Sequence, residues 1–235
     1  MTSVTRGSMR HALWAITLTG LLAMPAQVLA LTFFDDSFES CVVGGGASFP
    51  CEGWNDFDQE VPGILDVAAQ FPLSGSKSVR MTWDNLEAQS SNPSIYKTFA
   101  NPQEHIFIRF PTRRSAAWTY PGNGNSKLMI IGNLGYPRAM IVDRYGTYQI
   151  AMECPYNVTN PATGAKISSL FWNTMVAPSH DSYDQVELEY KLNAPGQANG
   201  LIRFWVNGVL KMEKLNLIII IKFIPQCFNI NSIFF

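Results

Sequence analysis

The chain predicts an all-β sandwich, and three observations carry that expectation. Short apolar or alternating runs recur from residue 31 onward, clusters of Gly, Pro, Asn and Ser separate them, and nothing after residue 30 keeps a helical apolar period over three turns. Many evenly spaced strands in one chain of 235 residues imply a single sandwich or barrel with one substantial core.

The predicted strands are Leu31 to Phe34, Gly63 to Ala68, Ser78 to Trp83, Ile106 to Phe110, Lys127 to Gly132, Ala139 to Asp143, Tyr148 to Cys154, Gln185 to Leu192 and Leu201 to Val206. Gln185 to Leu192 is the best formed. Its apolar Val186, Leu188, Tyr190 and Leu192 alternate with Gln185, Glu187, Glu189 and Lys191, as one buried face requires. Asn193 to Gly200 then turns the chain, Leu201 to Val206 returns, and Asn207-Gly208 supplies a type I′ hairpin signal before a further strand from Val209 to Met212.

Composition narrows the function classes. Lys plus Arg number 17 against 18 acidic residues, so no charge excess recruits nucleic acid or an anionic membrane. Gly44-Gly-Gly46 and Gly122-Asn-Gly124 lack a following helix and a Lys-Ser/Thr, so they read as loops and not phosphate cradles. No cofactor motif is present, and no metal-ligand spacing either.

The first 30 residues read as a signal peptide. Arg6, Arg10 and His11 precede the apolar run Leu13 to Met24, and Pro25 breaks the signal helix before Val28-Leu29-Ala30, which suits cleavage after Ala30. A run of about a dozen apolar residues is too short to span roughly 30 Å of hydrocarbon, so a secreted or periplasmic protein is expected, with no stable membrane insertion after cleavage.

Export bears on the cysteines. Cys41 and Cys51 flank a turn-rich segment that can fold back, so a disulfide is expected in an oxidising compartment; zinc would need further ligands that no CxxC pair or nearby His supplies. Cys154 and Cys227 have no evident partners. Asn157-Val-Thr159 is a glycosylation sequon that matters only in a host that glycosylates.

A strand, the loop Asn193-Ala-Pro-Gly-Gln-Ala-Asn-Gly200 and the return Arg203-Phe-Trp-Val-Asn-Gly208 resemble the late hairpin of concanavalin A-like jelly rolls, found in secreted polysaccharide lyases and glycan-binding modules. Phe34-Asp-Asp-Ser-Phe-Glu39 is similar to the first strand of that family, Ser74-Gly-Ser-Lys-Ser-Val-Arg80 to an early one and Ile106-Phe-Ile-Arg-Phe110 to a central one. The resemblance covers roughly residues 31 to 214. It implies a two-sheet antiparallel jelly roll that binds or cleaves an extended polysaccharide on the concave face of its larger sheet.

Catalytic residues are only partly in place. Retaining glycosidases of this architecture carry acidic residues on one face of a strand in a Glu-x-Asp-x-Glu run, which is missing; Glu187 and Glu189 fit the solvent side of an amphipathic strand. A lyase needs a cation or amide to neutralise a uronate carboxylate and a Tyr or His to move the C5 proton. Arg109, Lys127, Tyr145, Tyr148 and Gln149 are the candidates, and Tyr145-Gly-Thr-Tyr-Gln149 resembles the Tyr-rich strand of alginate lyases. The Gln-Ile-His and Arg-x-Glu strands of that family are missing, which leaves catalysis open. His105 and His180 fall in loop-like contexts where an ordinary exposed His is the simpler account.

Binding alone asks for aromatic rings and planar polar groups. Trp118 and Tyr120 lie in a polar, turn-rich loop, and with Arg144 and Arg203 they form the ligand-binding set; Trp83, Trp172 and Trp205 fit the core as well as a site.

From Leu217 the composition changes abruptly to an Ile-, Phe- and Asn-rich run without Gly, Asp, Glu or Thr. Lys222, Pro225 and Gln226 interrupt it, which argues against a membrane helix, and most of it can be encoded by A and T alone. The expected organisation is a signal peptide at 1–30, the sandwich at 31–216, and a tail at 217–235 that reads as translated non-coding sequence in place of the genuine last strands. The expected function is recognition of an extended polysaccharide by a monomer, with lyase activity and a cell-surface adhesion module as the alternatives.

Overall fold

The computed structural model describes residues 38–41, 44–45, 54, 56–58, 65–82, 94–119, 126–132, 138–159, 166–194, 197–217 and 230–234. The leader, Leu31 to Phe34, Cys51, Trp83, Tyr120 and Cys227 lie outside them. Cys154 and Asn157 lie on described backbone only.

All described regular structure is β. The strands are β1 (Gly44–Gly45), β2 (Asp56–Asp58), β3 (Leu65–Ala68), β4 (Ser78–Met81), β5 (Ser94–Gln103), β6 (His105–Arg113), β7 (Ser126–Gly132), β8 (Arg138–Arg144), β9 (Thr147–Thr159), β10 (Lys166–Asn173), β11 (Tyr183–Lys191), β12 (Gly200–Val206), β13 (Val209–Leu217) and β14 (Ile230–Phe234). A seven-stranded sheet has the order β10-β9-β8-β7-β14-β5-β2, a four-stranded sheet the order β13-β12-β11-β6, and β1-β3-β4 form a third. Every named pairing is antiparallel.

Alternation makes the sandwich. Ile106, Ile108, Val186, Leu188, Tyr190, Ile202, Phe204 and Val206 turn inward from the four-stranded sheet. Met129, Ile131, Ala139, Ile141, Tyr148, Ile150 and Met152 meet them from the seven-stranded sheet. Tyr148 packs its ring edge against Phe204 across the layers, with centroids 5.9 Å apart. Each such large apolar side chain, once buried, stabilises the fold by about 1.5–3 kcal/mol.

Two hairpins close with two-residue turns. Asn207 (φ 53°) and Gly208 (φ 74°) join β12 to β13, as Asn-Gly predicts. Tyr145 (φ 53°) and Gly146 (φ 72°) join β8 to β9 in the same way. A bulky side chain in the left-handed region costs about 1–2 kcal/mol, so that turn holds strain which Asn207-Gly208 avoids.

Two of the stretches that carry the family resemblance meet in space. The Glu39 carboxylate accepts the Ser76 N–H at 2.8 Å, the Ser76 hydroxyl at 2.7 Å and the Lys77 N–H at 2.9 Å. Lys77 Nζ in turn donates to the carbonyls of Glu39 and Cys41. Gly75 sits at φ +70°, and a Cβ there would lie 2.5 Å from Glu39 Oε1.

The strands differ from expectation in three places. The third sheet is additional to the two layers expected. β1, β2, β5 and β10 were not foreseen: Gly44-Gly45, read as a loop, pairs with β3, β5 puts charged Lys97 on the same side as buried Ile95, and Asn101-Pro102 reads as a turn. β14 comes from the apolar tail and pairs with both β5 and β7. A strand with no internal charge suits that slot, because a neighbour on each side satisfies its backbone.

Candidate functional site

Register defines the outward face of the seven-stranded sheet. Lys127 is opposite Val142, Val142 opposite Gln149, and Gln149 opposite Asn173, so β7, β8, β9 and β10 contribute one row. Arg144 and Thr147 form the next step toward the turn. Adjacent strands lie about 4.8 Å apart, which puts Lys127 and Gln149 about 10 Å from each other across Val142.

Arg144 organises this end. Its guanidinium lies 4.5 Å from the Phe171 ring centre and 4.9 Å from that of Tyr145. Its Nη2 also donates to the Tyr145 hydroxyl at 3.4 Å, and its carbonyl accepts Gln149 Nε2 at 3.3 Å. The strained turn holds the Tyr145 ring 64% exposed beside the guanidinium. Farther along the face, Met140, Val142 and Ala151 are buried in a small apolar cluster with Ile130 and Phe171, beyond which Arg138 pairs with Glu153. On this face the polar end around Arg144 therefore joins the exposed Lys127 and Asn173 to the exposed Tyr145 ring, with Gln149 buried beneath them.

Behind this end, polar groups tie the two sheets together. The Tyr148 hydroxyl donates to Asp184 at 2.9 Å, and Asp184 also accepts the Ser179 N–H, the Ser179 hydroxyl and Asn207 Nδ2. Burial opposes ionisation of Asp184, but these four donors outweigh it and hold the carboxyl below its ordinary range. Burial, with the Asp184 charge adding to it, pushes the Tyr148 hydroxyl above its ordinary value. Arg114 Nε lies 3.5 Å from Asp143 Oδ2, both side chains being buried, and the same guanidinium sits 5.4 Å from the Trp118 ring centre.

The expected site residues separate into groups. Lys127, Gln149, Arg144 and Tyr145 come together as described. Trp118 stands near the same end, half-buried against Arg114 rather than in an open loop. Tyr148 points into the core at 0% exposure, on the inward row of β9 with Ile150 and Met152, whereas Tyr145 sits in the exposed turn. Arg109 and Arg203 lie on the outward face of the four-stranded sheet, bound to Glu187 and to Glu189 and Glu213. His105 is on β6, not in a loop, and contacts Glu189 at 2.8 Å; His180 forms a bridge to Arg114. Cys41 is buried. Among the described residues no three His, Cys, Asp or Glu converge as metal ligands, and no helix is long and apolar enough to cross a membrane.

Sequence reasoning missed Phe171 and Asn173. The alternation Leu170-Phe171-Trp172-Asn173 was the available signal: Leu170 and Trp172 pack on the core, leaving Phe171 and Asn173 outward.

No protein-family model matches the chain, and no curated protein matches it in sequence. Solved structures do match. An endo-β-1,4-glucuronan lyase from the fungus Trichoderma reesei superposes with a TM-score of 0.59 at 14% identity, covering 78% of each chain. An alginate lyase, vAL-1 from Chlorella virus, gives a TM-score of 0.53 at 11% identity, covering 78% of this chain and 91% of the other. Sequences this divergent share an architecture and nothing finer. With its two antiparallel layers, late hairpin and these neighbours, the chain has the concanavalin A-like jelly-roll fold.

Proposed function

We propose that this is an exported, monomeric glycan-binding jelly roll that holds an extended polysaccharide at the Arg144 end of its seven-stranded sheet. The observation that carries this is the shared placement of exposed Lys127 and Asn173 and half-buried Arg144 on one outward face, with the exposed Tyr145 ring beside Arg144 and Gln149 buried beneath, bracing the Arg144 carbonyl. Sugar rings stack on aromatic faces while planar amides and guanidinium groups take their hydroxyl and carboxylate oxygens. Two proteins of the same fold act on a glucuronan and on alginate, and the polysaccharide class is carried over from them. Trp118, Tyr120 and the sequence-based export signal, with cleavage after Ala30 and a Cys41–Cys51 disulfide, belong to the same proposal.

A second reading, β-elimination of a uronate polymer, is favoured by the contact between Tyr145 Oη and Arg144 Nη2. There a cation can neutralise the uronate carboxylate while the Tyr145 oxygen takes the C5 proton and returns it to the leaving glycosidic oxygen, as the C4–O bond breaks and the C4=C5 double bond forms.

One experiment separates them. The mature protein is incubated with uronate-containing and neutral polysaccharides, following retention on the polymer and absorbance of unsaturated products. Retention on uronate polymers that Arg144→Ala weakens about tenfold, without absorbance, supports binding. Absorbance that Tyr145→Phe abolishes supports the lyase. A wild-type protein that neither binds nor cleaves any polysaccharide overturns both.

A further inference from the structure

The outward face of the four-stranded sheet is built from two rows that cross all its strands. Phe107, Glu189, Arg203 and Glu213 form one; Arg109, Glu187, Trp205 and Leu210 form the other. Phe107 and Trp205 lean together over β11, their ring centres 5.8 Å apart and tilted by 55°. Phe107 is 55% exposed and Leu210 47%.

The charges on this face compensate one another. Arg109 Nη2 lies 3.2 Å from Glu187, Arg203 bonds both Glu189 and Glu213, and His105 closes on Glu189 at 2.8 Å. With the Lys191 ammonium opposite His105 in the next row, two guanidinium groups and one ammonium thus oppose three carboxylates, with one imidazole beside them. Such a face offers no positive excess to a uronate or phosphate, but it presents planar groups, held in place by their partners, on both sides of an aromatic pair. Vicinal hydroxyl groups of a neutral pyranose hydrogen-bond both to carboxylates and to guanidinium groups, and the apolar face of the ring stacks on an aromatic. Three inter-strand gaps of about 4.8 Å give the rows a reach of about 14 Å, which is long enough for a short run of sugar rings.

We propose that this face is a second glycan-binding site, selective for neutral polysaccharide and separate from the Arg144 end of the other sheet. Stacking on Phe107 and Trp205 supplies most of the affinity, and the accessible Arg109, Arg203 and Glu213, held in place by the more deeply buried Glu187 and Glu189, orient the ring hydroxyls. A second copy of the chain is a poorer fit, because charged residues occupy alternate places through the centre of the patch, where protein interfaces are depleted of them.

The test uses the mature protein and an unbranched neutral β-glucan, with a uronate polymer in parallel and melting and sedimentation measured for every variant. Phe107→Ala and Trp205→Ala are each expected to weaken retention on the neutral glucan about tenfold while leaving retention on the uronate polymer unchanged. Trp205→Phe, which keeps a ring on the same strand, should recover much of the loss. Arg144→Ala should leave neutral binding intact, so failure of the Arg144 site and failure of this one are told apart. Unchanged neutral binding in both alanine variants overturns the proposal. So does a loss that Trp205→Phe fails to recover although it melts like the wild type, or a wild-type dimer that Trp205→Ala converts to monomer.

Discussion

The hydroxyl of Tyr148 on the seven-stranded sheet donates to the carboxylate of Asp184 on the four-stranded sheet, at 2.9 Å, where the core ends and the loops begin. Asp184 is the shared acceptor for that strand, for the Ser179 segment and for the Asn207 turn. Replacing Tyr148 by Phe leaves one donor fewer on a buried carboxylate, and should cost about 1–3 kcal/mol of unfolding free energy in urea. Glycan retention should not change.

The same carboxylate sets a pH dependence. Its folded pKa is depressed, so its contribution is fully present above the unfolded aspartate value of about 3.9 and is lost as pH falls through the lower folded value. Stability measured from pH 5 downward should fall across that window, and Asp184→Asn should be less stable at neutral pH with a flatter acid limb. An unchanged acid limb in Asp184→Asn would show that other carboxylates govern it.

Gly75→Ala should destabilise the amino-terminal part of the fold by at least about 1–2 kcal/mol, because φ +70° is costly for any side chain. The added Cβ also displaces the Glu39 carboxylate from Ser76 and Lys77. Thermal melts of Gly75→Ala, Glu39→Gln and the double variant check this: the two losses should be less than additive, because they disrupt one contact.

Trp118→Ala tests the loop aromatic. We expect polysaccharide binding to weaken by about 1 kcal/mol with little change in melting temperature. Normal binding with a much lower melting temperature would assign the ring to structural packing on Arg114.

Mass spectrometry of the exported product should show Leu31 at the amino terminus and Cys41 linked to Cys51, a staple of this loop length contributing on the order of 2–3 kcal/mol. An uncleaved leader removes the extracellular proposal.

The sheets were legible where one face is apolar and the other polar. Val186, Leu188 and Tyr190 against Glu187 and Glu189 announced β11, and Asn207-Gly208 announced the turn between β12 and β13. β5 was not legible, because Lys97 interrupts the alternation between Ile95 and Phe99. The site was legible in residue type but not in sidedness. Tyr148 and Gln149 are adjacent in sequence and face opposite ways, and Arg109 and Lys127 stand on different sheets. Sidedness depends on where each turn falls, and Tyr145-Gly146 lacks the Asn-Gly or Asp-Gly signature that would have marked it.

The place of β14 has a kinetic consequence. It is the last described strand in sequence, yet it stands between β7 and β5, so β5 and β2 can join β7 through it only after the rest of the sandwich has been made. The four-stranded sheet has no such dependence and can assemble from residues 105 to 217 alone. During synthesis the larger sheet therefore waits with two facing edges open, a state exposed to mispairing in proportion to how long the final segment takes to arrive.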